Sequence, residues 1–373
     1  MDAADVLPMD GKLMEERTIV NFDELNRQIA QPDADAAARA KMRWDSIAKP
    51  LDSLGALEKI CVRIAGLTGS ESISMDRKAV VVFCSDNGAA AEGVTQTDSS
   101  VTAIMAEAIA QKRSCVCSMA AAAGADVFAI DIGMLRRAPG VRDLHIASGT
   151  GNIAHGPAMT REQAARAVET GISLAKEYKE QGYNLLATGE MGIGNTTTSS
   201  AVAAALLGLP AEELVGRGAG LSDEGLARKR EVVCRAIAVN RPDSNDAFDV
   251  LCKLGGFDIA GMAGLYLGGA LYRVPVIIDG LISSVSALIA ATLCPNSVCA
   301  MIASHCSAEP AAKAVLDRIG LRAVLNAELK LGEGTGAVCM MPLLDLALSV
   351  YNHSAAFADT GIKQYTPQGG AEK

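Results

Sequence analysis

Short, unbroken apolar runs that close on polar residues recur through the middle of the chain. Residues 79–84 end in Ser85-Asp86-Asn87-Gly88, and residues 126–132 end beside a carboxylate. Residues 184–188 run into Gly189-Glu190, residues 274–278 close on Asp279-Gly280, and residues 298–305 form the last such run. Runs without polar alternation suit parallel strands covered on both faces. Between them lie helical stretches: Ala-rich sequence to about Ala123, residues 160–180, and a buried helix opening at residues 201–207. A charged helix with Asp223, Arg228, Lys229 and Arg230 follows, then a Gly- and Ala-rich one over residues 258–268. Strand–helix alternation from Lys78 to about Ile319 predicts an α/β fold on a parallel sheet. Ligands of such sheets sit at the carboxyl ends of strands, so Asp86, Glu190 and Asp279 are expected to converge on one crevice.

The two ends read differently. Short helices are expected near Phe22, after Pro32 with Met42, Trp44 and Ile47, and with Leu57, Ile60, Cys61, Ile64 and Leu67 on one face. A long apolar helix is expected over residues 335–352. The expected division is a helical part over 1–70, an α/β substrate-binding domain over 71–334, and residues 335–373 completing a small helical domain made from both chain ends.

Composition narrows the chemistry. The chain is 50% hydrophobic but only 3% aromatic, so its core rests on Ala, Val, Leu, Ile and Met. A net charge of −9 without a basic run argues against a nucleic-acid partner. No apolar stretch reaches the about 18 residues of a membrane span, and the acidic start lacks signal-peptide character, so a cytoplasmic protein is expected. The ten cysteines lie mostly in apolar runs, as Cys84 and Cys234 do. Cys115 and Cys117 form an isolated C-x-C pair in a chain with four histidines. Buried free thiols are expected, and neither metal nor cofactor.

The densest candidate stretch is Gly189-Glu190-Met191-Gly192-Ile193-Gly194-Asn195-Thr196-Thr197-Thr198-Ser199-Ser200. Its glycines permit close approach to a ligand, and hydroxyls at a helix N-terminus suit an anion. A carboxylate beside them suggests a phosphorylated sugar with an acid or base at hand; a capped Gly-rich turn is the plainer alternative. Glu333, in Leu331-Gly332-Glu333-Gly334, enters an apolar helix, so it is either a desolvated general base or a helix-start Glu favoured by the dipole. Ser307 is a phosphate ligand or an N-cap. His305 and Cys306 point apart on extended backbone, which disfavours a Cys–His nucleophile. Arg217, Lys229 and Lys330 are each a phosphate partner or a solvated charge. Asp86 and Asn87 either bond a base or ribose or hold an Asx turn.

The 189–197 stretch strongly resembles the central signature of the nicotinate-nucleotide–dimethylbenzimidazole phosphoribosyltransferase family. The resemblance extends over Lys49-Pro50, Ser53-Leu54-Gly55, Gly151-Asn152-Ile153-Ala154, Gly255-Gly256-Phe257-Asp258, Asp279-Gly280, Ser304-His305 and residues 331–336, in order from Lys49 to Asn352. It implies a doubly wound domain with a small helical domain, a homodimer, and two small-molecule substrates: nicotinate mononucleotide and a benzimidazole-type base. It implies Glu333 as general base, Glu190 as stabiliser of the ribose cation, and Gly192, Ser307, Lys229 and Lys330 around phosphate and ribose, with Asp279 at the floor. Gly189, Met191, Gly194, Asn195, Thr196, Gly216, Gly218, Leu331 and Gly332 complete the expected substrate-binding set with Asp86 and Asn87. Two departures bear on the base, Asn87 where the family commonly has His and no proline in residues 95–100; a third puts Lys330 in place of Arg, which keeps the charge but loses a bidentate fork. A catalytically silent nucleotide-binding or sensor protein on the same fold is the alternative, against which the presence of both Glu190 and Glu333 argues.

Overall fold

The computed structural model describes residues 20–366. Six strands form one sheet: β1 (Lys78–Ser85), β2 (Ala125–Gly133), β3 (Arg142–Asp143), β4 (Leu185–Met191), β5 (Val276–Ile278) and β6 (Met301–Ala303). Their order is β3-β2-β1-β4-β5-β6, every neighbouring pair is parallel, and this is the order of a doubly wound sheet. The chain steps outward from β1 to β3, then crosses back to β4 on the other side of β1.

Burial on both faces follows from the unbroken apolar runs. Along β1, Ala79, Val81 and Phe83 enter one hydrophobic cluster while Val80, Val82 and Cys84 enter another. The first cluster lies under the helices Arg161–Glu180, Phe257–Leu271 and Leu281–Leu293. The second takes in Trp44 and Ile60 from the N-terminal helices and Val338, Met341 and Leu344 from the helix Thr335–His353. The helices of the two ends touch directly: the Trp44 and Tyr351 rings lie 5.1 Å apart, and Arg43 Nε donates to the Tyr351 carbonyl at 3.0 Å. Thr335–His353 is also the one described helix long and apolar enough to cross a membrane, and 56% of its most apolar window is buried in the fold.

Several boundaries differ from the sequence expectation. β4 runs through Gly189 and Glu190 to Met191, because β1 extends equally far and pairs Phe83 with Glu190 and Cys84 with Met191. The next helix starts at Asn195, six residues before the apolar run, and its hydroxyls bond back to the helix: Thr198 Oγ1 to Asn195 O at 2.9 Å and Ser200 Oγ to Thr196 O at 2.8 Å. The last apolar run holds only the short β6, since Pro295–Ala300 winds as a 3-10 helix. Cys234 is exposed rather than buried: it lies on the helix Asp223–Asn240, past the inward-facing Val232 and Val233.

Candidate active site

A cavity of about 270 Å³ opens at the carboxyl ends of β4, β5 and β6. Glu190 is the penultimate residue of β4, Asp279 and Gly280 follow β5, and His305 and Ser307 follow β6. The segment carrying Lys330, Leu331, Gly332 and Glu333 closes the far wall before the helix Thr335–His353 begins.

Four carboxylates line this space, Glu309 beside Gly216 and the other three around the Lys330–Glu333 segment. Asp279 organises the far wall, since its Oδ2 accepts from Gly334 N at 3.1 Å and its Oδ1 from Ala337 N at 3.0 Å. Burial nevertheless pushes its carboxyl up to about 6 against those backbone donors. Glu333 sits between Gly332 and Gly334 with its own backbone left-handed at φ 59°. Its Oε2 accepts from Val116 N at 3.3 Å, at the start of the helix Cys115–Ala122. Burial raises its pKa, and the Val116 and Ser114 donors oppose the rise. Glu190 Oε2 accepts from Asn195 Nδ2. Burial pushes the Glu190 carboxyl up to about 8; the Asn195 amide opposes this, and Asp258, Asp279 and Glu333 add repulsion. Both shifts run toward the protonated acid, further for Glu190 than for Asp279.

The helix start at Asn195 is built for an anion. Asn195 opens a helix behind Gly194, whose φ of 98° makes the tight turn. Fully buried Lys229 donates to Thr196 Oγ1 at 2.8 Å, which occupies one of three ammonium hydrogens. Burial pushes the Lys229 ammonium down to about 8, opposed by Glu309. A side chain at Gly218 would stand 3.0 Å from Thr196 Oγ1 and 3.3 Å from Lys229 Nζ, so glycine keeps both reachable. Near Gly336 and Asp279, His305 Nδ1 lies 3.1 Å from Ser304 Oγ, which donates to Ile278 O at 2.6 Å. With the serine hydrogen so committed, Nδ1–H is the donor and Nε2 faces Gly280 as an acceptor. Burial lowers the His305 pKa, consistent with a neutral ring.

Among the residues singled out from sequence, Glu190, Met191, Gly192, Asn195, Thr196 and Gly218 line the cavity. Asp279, Ser307, Lys330, Leu331, Gly332 and Glu333 line it too. Gly189, Gly194, Gly216 and Lys229 stand one step behind. Any Cβ at Gly189 would collide with the Glu333 backbone, and one at Gly216 with Glu309 and Pro310. Asp86 is not part of the crevice. Its Oδ2 accepts from Leu135 N at 2.7 Å on the β2 side of β1, and with Asn87 it lines a separate cavity of about 280 Å³. Asn87 is buried beneath the Gly192–Gly194 turn, where its Oδ1 accepts from Thr198 Oγ1 at 3.2 Å. Arg217 is committed to Asp223 and to Leu221 O, away from the cavity. Sequence reasoning set His305 aside and passed over Met105 and Asp258. The Gly-Gly-Phe-Asp string was a signal for Asp258, but nothing local marked Met105.

The family described as phosphoribosyltransferase matches residues 29–362. A nicotinate-nucleotide–dimethylbenzimidazole phosphoribosyltransferase from Acetivibrio thermocellus is 46% identical over 87% of this chain and 93% of its own. The chain belongs to the nicotinate-nucleotide–dimethylbenzimidazole phosphoribosyltransferase family. A relative of the same name from Chloroflexus aggregans is 44% identical over 89% of the chain and 95% of its own. The crystal structure of CobT from Thermus thermophilus superposes with a TM-score of 0.83 at 39% identity, covering 89% of this chain and all of that one. The span matched to the phosphoribosyltransferase family contains every residue lining the cavity.

Proposed function

We propose that this enzyme transfers the phosphoribosyl group of nicotinate mononucleotide to 5,6-dimethylbenzimidazole or a related lower-ligand base. The products are α-ribazole 5′-phosphate and nicotinate, and the step belongs to nucleotide-loop assembly of cobamides. Family membership supports the reaction, and one observation carries it to this site: a single cavity lined by Glu333, Glu190 and Asp279 and by Thr196, which Lys229 backs.

The phosphate is taken up by Lys229, Gly192, Ser307, Lys330 and the amides opening the helix Asn195–Leu207. Nicotinate is already a pyridinium on the ribose, so it departs without an acid, and the C1′–N bond breaks as the base nitrogen attacks from the opposite face. One in-line displacement converts the β linkage to α. Glu333 takes the ring N–H proton that the base loses. The positive charge on substrate favours ionised Glu190, which then faces the sugar cation. Met105, Met191, Ile193 and Leu331 offer apolar surface to a flat ring.

The test is the purified protein with nicotinate mononucleotide and a panel of benzimidazoles, purines and phenols. An α-nucleotide product with at least one base is expected, and no product with any of them refutes the reaction. Nucleotide binding without product would leave the silent binding protein. We also propose a cytoplasmic homodimer with a small helical domain formed by the chain ends. Exposed Met42 and Leu346 on those end helices leave apolar surface for a second copy.

A further inference from the structure

Two buried carboxylates share the two hydrogens of one carboxamide beneath the cavity. Asn195 Nδ2 donates to Glu190 Oε2 and, at 3.0 Å, to Asp258 Oδ2. Glu190 faces the cavity, where its Oε1 would be 2.5 Å from a Cβ at Gly332. Asp258 does not: it sits in the first turn of the helix Phe257–Leu271, fully buried, and its Oδ1 has no hydrogen-bond partner.

A carboxamide supplies one hydrogen to each acid and no more. Two ionised carboxylates held by one nitrogen, away from water, repel strongly enough that the pair keeps a proton. Position decides which acid keeps it. Glu190 also faces Asp279 and Glu333, whereas Asp258 lies at a helix N-terminus where the backbone favours its charge. The other titratable groups nearby are the Cys84 thiol on β1, neutral His305, Lys330 and Glu309 on the cavity wall, and Lys229 behind Thr196.

We propose that Asp258 is a positioning residue: held beside Glu190 by the shared Asn195 amide, its charge helps keep Glu190 protonated until the cationic nucleotide arrives and drives that proton into solvent. The identity of that nucleotide rests on the transferase reaction above. Only the Glu190 O–H bond changes in this step.

Infrared titration of the unliganded full chain reads it directly. Wild type loses a carboxylic-acid C=O band near pH 8 that Glu190→Gln lacks. In Asp258→Asn the same band disappears about one pH unit lower or more, because a like charge is gone. In Asn195→Ala it moves upward, because both acids lose their donor. Wild type lacking the band, or an unmoved band in whichever bridge variant folds, overturns the proposal. Proton uptake by buffer on adding nicotinate mononucleotide at pH 7 is expected in wild type and nearly absent in Glu190→Gln; equal release by both overturns it as well. If the bands shift as expected but no base accepts the ribosyl phosphate, the transferase reaction fails and the shared proton stands.

Discussion

Replacing Gly171 by Ala tests how closely the fold is drawn together above the sheet. The helices Arg161–Glu180 and Phe257–Leu271 meet backbone to backbone there. An added Cβ would stand 2.6 Å from Leu265 N and 2.8 Å from the Gly264 carbonyl carbon, and closer still to Gly261 O. Ordinary contact begins at 3.4 Å, so the helices must part by at least 3.4 − 2.6 = 0.8 Å. None of the three obstacles is a side chain that can swing aside. Overpacking of this kind costs up to about 3 kcal/mol, and Ala returns about 1 kcal/mol in helix propensity over Gly. The net expectation is about 2 kcal/mol of destabilisation, read as a lower urea midpoint by circular dichroism. Gly156→Ala is the control: a Cβ there meets nothing within 4 Å, so its midpoint should hold to within about 0.5 kcal/mol. A Gly171→Ala midpoint equal to that of Gly156→Ala would refute the packing argument.

Glu333→Gln should lower transfer roughly 10²- to 10⁴-fold while calorimetry still detects nicotinate mononucleotide binding; near wild-type turnover at neutral pH removes Glu333 as the base. Lys229→Met should weaken nucleotide binding by roughly 10- to 100-fold through loss of a charge-assisted hydrogen bond, and unchanged affinity would place the phosphate elsewhere. The pH dependence of stability has a definite sign at Glu190. Its folded pKa, about 8, lies above the ordinary 4.5, so its contribution is full below 4.5 and lost as pH rises through 8. Stability of wild type relative to Glu190→Gln should therefore fall between those values by several kcal/mol, about 1.4 kcal/mol for each pH unit crossed. Parallel curves from chemical denaturation would contradict it.

The parallel strands β1 and β2 were legible because both faces are buried and the apolar runs are unbroken. β3 was not, since two exposed residues carry no pattern. Gly189 read as a turn although the neighbouring strand holds it in the ladder, a case of pairing overriding local preference. Glu190, Asp279 and Glu333 were found because each ends an apolar run or enters one. Asp86 satisfied the same rule and was misplaced: a carboxylate at a strand end has its height above the sheet set by sequence, but which side of β1 it serves depends on Leu135 after β2. Asp258 owes its place to a tertiary contact with Asn195 and the His305 backbone to a bridge with Leu325, and local sequence says little about either.

Among the described residues, Glu333 alone combines a position on the cavity wall with a left-handed backbone and a side chain larger than glycine. That conformation costs about 1–2 kcal/mol for an ordinary L-residue, and its carboxyl is further disfavoured by burial. Glycine at this position would relieve both penalties. Stability and turnover thus pull in opposite directions at one codon. A library selected only for heat resistance would be expected to discard the proposed base early, and an alignment built from such survivors would make the position look like an ordinary loop glycine.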